Sequence, residues 1–125
     1  MAFESNIVSF VGNMVADPEL RYTGSGVPVT SFRLASNRKW KDRSGQEQEE
    51  TTFMTVSAWR EMAENVAETL RKGDRTVVLG KLKQGSYEKD GVTHHTVEID
   101  ADEVGKSLRW AERKTAKPDT DSVPF

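Results

Sequence analysis

The sequence predicts an all-β fold: a five-stranded Greek-key barrel with one helix between strands 3 and 4, plus a possible short C-terminal strand. Three observations carry this prediction. Five stretches have the residue pattern of strands, and the single amphipathic helical pattern follows the third of them. Glycine interrupts the first and fourth stretches at Gly12 and Gly80, and small barrels bend their strands at such positions.

The first two strands are predicted over residues 6–15 and 27–37. Pro18 separates them, because proline cannot donate a hydrogen bond to a sheet. Residues 20–22 form a short extension before a glycine-rich turn. In the second strand Arg33 lies on the side opposite the apolar residues.

The third strand, residues 51–59, alternates apolar and polar positions, which is typical of a half-buried strand. Its polar face carries Phe53 and Trp59 beside two hydroxyl residues. Exposed aromatic rings in this arrangement form a platform on which flat ligands such as nucleobases stack. The alternative is that a neighbouring element covers this face and buries both rings as ordinary core.

Residues 38–50 are polar and rich in turn formers, so we expect a long hairpin loop with a basic first half and an acidic second half. Trp40 lies within the basic half. An exposed loop tryptophan between cations suits stacking on a base, with the cations holding the flanking phosphates. Packing against a neighbouring subunit is the alternative. The cations of the basic half are Arg38, Lys39, Lys41 and Arg43.

Residues 60–72 have one apolar stripe at helical spacing, with acidic residues near the start. Arg71 and Lys72 are expected in the last helical turn, and Gly73 just past its end. We interpret this helix as structural and its charges as a solvated face.

The fourth and fifth strands are predicted over residues 75–82 and 92–104, with a hairpin turn at Asp90-Gly91. Tyr87 lies near the tip of this hairpin beside Lys81 and Lys83, which repeats the chemistry around Trp40. His94 and His95 are adjacent and point to opposite faces of a strand, so together they cannot chelate one metal.

The C-terminal region divides into two parts. Residues 107–111 are a candidate sixth strand, and Trp110 within it suits packing or a subunit contact. We therefore predict a folded domain over residues 1–111 and a disordered tail over residues 112–125, whose charged and small residues cannot form a core. Its terminal phenylalanine suits docking into a partner's pocket.

Composition excludes several classes of protein. The 125 residues have a net charge of −2 and contain no cysteine, so we expect no disulfide and no thiolate metal site. No stretch has the apolar length of a membrane span, and the N-terminus lacks signal-peptide features, which favours the cytoplasm. No P-loop or other catalytic arrangement is present, so we expect neither an enzyme nor a cofactor.

The order of strands and helix is that of the OB-fold, which binds oligonucleotides or oligosaccharides across one face and between its hairpin loops. The acidic net charge argues mildly against a polyanion partner. We expect the distribution of charge to remove this objection. The cations should lie along a groove on the binding face, and the acids in the helix, the second half of the first loop, the fifth strand and the tail. The groove cations are Arg33, Arg38, Lys39, Lys41, Lys81 and Lys83.

Two segments, VGNMVADPELRYTGSGVPVTSFRLAS and WREMAENVAETLRKGDRTVVLGKLKQGSYE, resemble bacterial single-stranded DNA-binding proteins, over roughly residues 6–104. The helix and the segment DEVGKSLRWA resemble the actinobacterial branch, in which an extra C-terminal strand clasps neighbouring subunits. The resemblance implies a nucleoid-associated homotetramer that binds single-stranded DNA without sequence preference and protects it in DNA replication, repair and recombination.

The resemblance also implies residue roles. Trp40, Phe53, Trp59 and Tyr87 match the family's base-stacking positions, with the aromatic type exchanged at the last three. The chain's tip resembles the acidic tip that recruits replication and repair proteins, although the long linker is missing and only two acids stand near the end. The tip residues are Asp119, Asp121, Val123, Pro124 and Phe125.

Two other readings stay open from the sequence. In one, the barrel is an interaction subunit whose aromatic residues serve protein contacts or assembly. In the other, RNA is the natural ligand, since no residue pattern here identifies a reader of the 2′-hydroxyl group.

Overall fold

The computed structural model describes residues 5–110, in which five strands close into a barrel. The elements in chain order are β1 (Val8–Met14), β2 (Glu19–Tyr22), β3 (Pro28–Lys41), β4 (Glu47–Trp59), α1 (Glu61–Thr69), β5 (Arg75–Lys89) and β6 (Val92–Lys106). The barrel strands lie in the order β1-β5-β6-β4-β3, and a short β1–β3 pairing closes the ring. The predicted fold, with its helix between the third and fourth barrel strands, is confirmed; β2 pairs with β3 beside the barrel.

Two glycines allow the barrel to close. β1 pairs with β5 as far as Asn13 and with β3 at Asn13 and Met14, and a Cβ atom on Gly12 would lie only 2.7 Å from the carbonyl oxygen of Ala35. A Cβ atom on Gly80 would overlap the carbonyl oxygen of Asp100, at the point where the β5–β6 register shifts. Both bends predicted from the sequence therefore lie where backbones approach closely.

The core lies inside the barrel and extends beneath α1. Leu34, Val56, Val78 and Ile99 are fully buried and come from four different strands. Burying a side chain of this size contributes about 1.5–3 kcal/mol. On α1 the buried residues include Val66, so the helix packs against the barrel through its apolar stripe, as its spacing predicts.

The helix is shorter than the predicted 60–72. It ends at Thr69, and Leu70 is extended, with φ −92° and ψ 145°. The prediction that Arg71 and Lys72 lie in the last helical turn is therefore wrong, and Gly73 belongs to the following turn. The physical reason is a hydrogen bond that competes with the helical one: the Asp74 carboxylate accepts from the Arg71 amide at 2.9 Å.

The predicted loop over residues 38–50 is instead a long two-stranded hairpin. β3 continues to Lys41 and β4 starts at Glu47, so that the basic half pairs in register with the acidic half. Opposite charges facing each other across two strands stabilise the pairing. The turn is organised by Asp42, whose carboxylate accepts from Ser44 Oγ at 2.8 Å and from the backbone amides of Ser44 and Gln46 at 2.9 Å.

The second hairpin follows the sequence prediction more closely. β5 and β6 meet in a two-residue turn in which Asp90 and Gly91 have φ values of 54° and 77°. Positive φ at both central residues is the geometry that favours Asp-Gly. β5 extends beyond the predicted end at Leu82 to Lys89, which places Tyr87 within the strand.

No strand forms over residues 107–110, so the possible short C-terminal strand is not seen there in the single chain. The Ser107 amide donates to the Arg75 carbonyl at 2.8 Å, and the Arg75 guanidinium lies 4.5 Å from the centre of the Trp110 ring. A strand needs a continuous ladder partner, which this segment lacks within residues 5–110.

Part of the sequence prediction lies outside the described residues. This concerns Ala111, the tail from residue 112, and the tip residues Asp119, Asp121, Val123, Pro124 and Phe125. Within residues 5–110, no helix has the length and apolar character to cross a membrane.

The contact at Gly80 predicts a stability effect. Gly80→Ala forces a Cβ atom against the β6 backbone and should lower the free energy of unfolding by about 1–3 kcal/mol, the usual cost of overpacking. Urea denaturation measures this change. Gly105→Ala is the matched control, because a Cβ atom there meets nothing within 4 Å, and it should change stability by less than about 0.5 kcal/mol. Equal midpoints for both variants would contradict the steric role of Gly80.

The Asp42 turn predicts a pH dependence. Hydrogen bonds from the Ser44 side chain, the Gln46 amide and the Gln48 side chain favour the carboxylate, and they hold the pKa of Asp42 below its ordinary value of 3.8. The turn should therefore be fully ordered above about pH 4 and loosen as pH falls through the lowered pKa. The amide resonances of Ser44 and Gln46, followed by NMR from about pH 6 to about pH 2, report this transition. In Asp42→Ala the transition should vanish; a midpoint at or above 3.8 in the wild type would contradict the assignment.

Candidate nucleic-acid interface

The strand register brings most of the predicted site residues onto one surface of the barrel. Arg33 pairs with Thr55, Thr55 with Glu98, and Glu98 with Lys83, in one row across four strands. Paired residues point to the same side of a sheet, so alternate residues of these strands form a common surface. We call this surface the outer face; it comprises Arg33, Phe53, Thr55, Ser57, Trp59, Lys81, Lys83, Tyr87, Glu98 and Asp100.

Phe53 and Trp59 lie on the outer face with exposed fractions of 48% and 43%. The intervening residues Val56 and Ala58 are fully buried on the opposite side of β4. Within this chain the two rings are therefore not core, and nearly half of each residue is exposed. Thr55 and Ser57 lie between them on the same face.

A cation accompanies the Phe53 ring. The guanidinium carbon of Arg33 lies 4.5 Å from the ring centre, in cation–π contact. Arg33 is on the neighbouring strand, one diagonal step from Phe53 in the register. A base stacked on Phe53 would thus have a guanidinium beside it that can reach a phosphate.

Trp40 lies on the other side of the β3–β4 hairpin. It pairs with Gln48, whereas Phe53 pairs with Ala35, and the odd difference in position turns the two rings to opposite faces. The guanidinium carbon of Arg38 lies 4.3 Å from the centre of the Trp40 ring; unlike Arg33 and Phe53, these two residues lie on the same strand, two positions apart. The structure therefore does not bring all four aromatic residues onto one strand face.

Tyr87 stacks on His94, its cross-strand partner, with ring centres 5.0 Å apart and planes 18° apart. Sequence reasoning missed His94 as part of this site. The signal was available: a two-residue turn at Asp90-Gly91 places Lys89 opposite Val92, and counting back places Tyr87 opposite His94. A stacked pair offers a broader aromatic surface than a single ring.

Five of the six predicted groove cations lie beside or opposite carboxylates, and Arg33 is the exception. Lys81 contacts Asp102 at 3.3 Å, Lys83 contacts Asp100 at 3.4 Å, and Arg38 contacts Glu50 at 3.6 Å. The register also places Lys39 opposite Glu49 and Lys41 opposite Glu47. The expected separation of groove cations from acids is therefore wrong, because pairing the two halves of each hairpin brings opposite charges together.

The site is a surface built from paired strands, with side chains suited to stacking and phosphate contact. Among residues 5–110 no group of three or more His, Cys, Asp or Glu side chains is arranged to hold a metal ion.

Comparison with known proteins gives a consistent result. Residues 5–107 match the model of the single-strand binding protein family. Single-stranded DNA-binding protein 2 of Streptomyces coelicolor is 50% identical over 114 residues, covering 89% of this chain and 57% of its own. A single-stranded DNA-binding protein of Corynebacterium glutamicum is 49% identical, covering 89% of this chain and 51% of its own. The chain thus spans little more than half the length of these two relatives.

A crystal structure described as a small single-stranded DNA-binding protein from Streptomyces coelicolor superimposes with a TM-score of 0.71 at 33% identity. The match covers 85% of this chain and 97% of that structure. The two relatives above and one from Paenarthrobacter aurescens are all named single-stranded DNA-binding proteins, and all three come from actinobacteria. The fold, the aromatic outer face and the match over residues 5–107 together show that the chain belongs to the single-strand binding protein family.

Proposed function

We propose that this protein binds single-stranded DNA without sequence preference, by stacking bases on aromatic side chains and contacting phosphates with neighbouring cations. The observation that carries the proposal is the pair of half-exposed rings, Phe53 and Trp59, on a sheet face where burial does not require them. Membership of the single-strand binding family supports it.

Stacking explains the lack of sequence preference. Every base has a π-face, and each base stacked on an aromatic side chain contributes about 1–3 kcal/mol. The ring positions are Trp40, Phe53, Trp59 and Tyr87, with 38–53% of each residue exposed. A duplex keeps its bases stacked on one another, so these rings favour the single strand.

The bound strand must follow a curved path. Because Trp40 faces away from Phe53 across the β3–β4 hairpin, a strand that contacts both has to pass around the hairpin. Lys39 and Lys41 project from the Phe53 side and Arg38 from the Trp40 side, so cations are available along such a path. Wrapping of this kind suits a flexible single strand and not a stiff duplex.

Self-association fits the exposed apolar surface. Ile7, Val77 and Leu79 are 76%, 36% and 42% exposed, and β1 pairs with β3 only at Asn13 and Met14 among the described strands. The remaining β1 edge carries open backbone groups that a second copy can pair with. We propose a homotetramer, in which residues 107–111 clasp neighbouring subunits.

The cellular role follows from the binding activity. A protein that coats single-stranded DNA protects it during DNA replication, repair and recombination, in the cytoplasm at the nucleoid. We propose that Asp119, Asp121, Val123, Pro124 and Phe125 recruit replication and repair proteins. With only two acids near the tip, this recruitment would be weaker than by a more acidic tail.

Loss of a stacking ring should weaken binding to oligo-dT. Trp40→Ala and Trp59→Ala should each reduce affinity by about 1–3 kcal/mol, the contribution of one stacked base. Tyr22→Ala is the matched control, since Tyr22 is 59% exposed but lies on β2, outside the outer face. Fluorescence anisotropy of labelled oligo-dT gives the dissociation constants. Wild-type affinity in both tryptophan variants would contradict the stacking assignment.

Tryptophan fluorescence tests the proposed function directly. Titration with oligo-dT should quench Trp40 and Trp59, and rising salt should partly reverse the quenching because phosphate contacts are screened. A duplex of equal length should give little quenching, since its bases are not free to stack. Absence of quenching at any salt concentration, with assembly lost in Trp59→Ala or Tyr87→Ala, would favour an interaction subunit instead.

A further inference from the structure

The lysines of the outer face are already engaged by carboxylates of the same chain. Lys81 Nζ lies 3.3 Å from Asp102, and Lys83 Nζ lies 3.4 Å from Asp100. Both lysines are more than half exposed, so a phosphate can approach them. To bind either lysine closely, however, it must displace or share the carboxylate.

Further acidic groups border the stacking platform. Glu98 pairs with Thr55 and Asp100 with Ser57 in the β4–β6 register, and Ser57 Oγ donates to Glu98 at 3.3 Å. The carboxylates thus lie next to the hydroxyl residues between Phe53 and Trp59. Bases are not repelled by these carboxylates, whereas phosphates are, because like charges repel at short range.

This arrangement affects single and double strands differently. Attraction of phosphates to cations is common to all nucleic acids, and it is greater for duplex DNA, which has the higher charge density. Stacking on exposed rings is available only to unpaired bases. Reducing the phosphate attraction therefore lowers duplex affinity more than single-strand affinity.

We propose that Asp100 and Asp102 increase the preference for single-stranded over duplex DNA, by occupying Lys81 and Lys83 and so weakening the attraction that both forms of DNA share. This inference rests on the proposed single-strand binding. Asp100 is central to it, because its side chain is only 31% exposed and is held between β4 and β5 in the register.

The test compares the double variant Asp100→Asn/Asp102→Asn with the wild type on oligo-dT and on a duplex of equal length, over a range of salt concentrations. Single-strand affinity should rise about 1.5- to 5-fold per carboxylate removed, the range that an exposed ion pair is worth. The dependence of log K on log salt should steepen by about 0.7 for each lysine released on single strands and about 0.9 on duplex. Duplex affinity should rise by the larger factor, so the preference for single strands falls.

Two controls separate the local effect from net charge and misfolding. Glu64→Gln/Glu68→Gln makes the same charge change on the exposed side of α1 and should leave the preference as in the wild type. Lys83→Ala should weaken binding more in the Asp100→Asn background than in the wild type, because the lysine has then lost the carboxylate that lies 3.4 Å from its Nζ atom. Circular dichroism melting confirms that each variant is folded.

The outcomes are distinguishable. An unchanged preference in Asp100→Asn/Asp102→Asn, or an equal change in the α1 control, overturns the inference while single-strand binding stands. A wild-type protein that binds no oligo-dT at low salt overturns the proposed function, and the inference with it.

Discussion

The uninterrupted register between β3 and β4 is the constraint on which the rest of the structure depends. Thirteen consecutive pairs run from Val29 and Trp59 to Lys41 and Glu47 without a bulge. Because side chains alternate with a period of two, this one register buries Val56 in the core and exposes Phe53 and Trp59. A slip by one residue would exchange the two sets, losing the core and the platform together.

The same register bears on how an acidic protein could bind a polyanion, as proposed above. The sequence suggested that acids and cations are separated in space, but the hairpins place them side by side. The proposed binding therefore does not rest mainly on a basic groove. It rests on aromatic surface, with a smaller electrostatic contribution from cations that are paired with carboxylates.

Local residue patterns are enough to predict that the five barrel strands exist, although not their full lengths. They also predict the bends at Gly12 and Gly80 and the Asp90-Gly91 turn, because these follow from backbone geometry. For the first hairpin the sequence predicts a loop, because its charged residues have low strand propensity and gain their stability from partners across the hairpin. That gain depends on register, which in turn depends on the Asp42 turn. The helix end was missed because the Asp74 carboxylate competes for the Arg71 amide.

In the site too, some features follow from the local sequence and others only from the pairing of strands. Alternation places Phe53 and Trp59 on the polar face of their strand but leaves open whether a neighbouring element covers them, and the structure shows both residues partly exposed. Other features of the site depend on pairing between strands and could not be predicted locally. These are the opposite orientation of Trp40 and Phe53, the contact of Arg33 with Phe53, and the stacking of Tyr87 on His94. The β3–β4 and β5–β6 hairpins thus share one combination of side chains. Each has an aromatic ring covered by an arginine or a histidine, and each has cations paired with carboxylates across the strands. Trp40, Phe53 and Tyr87 are each covered on one side by a neighbouring side chain. In the proposed binding, a ring held in this way loses less side-chain entropy than a free ring would.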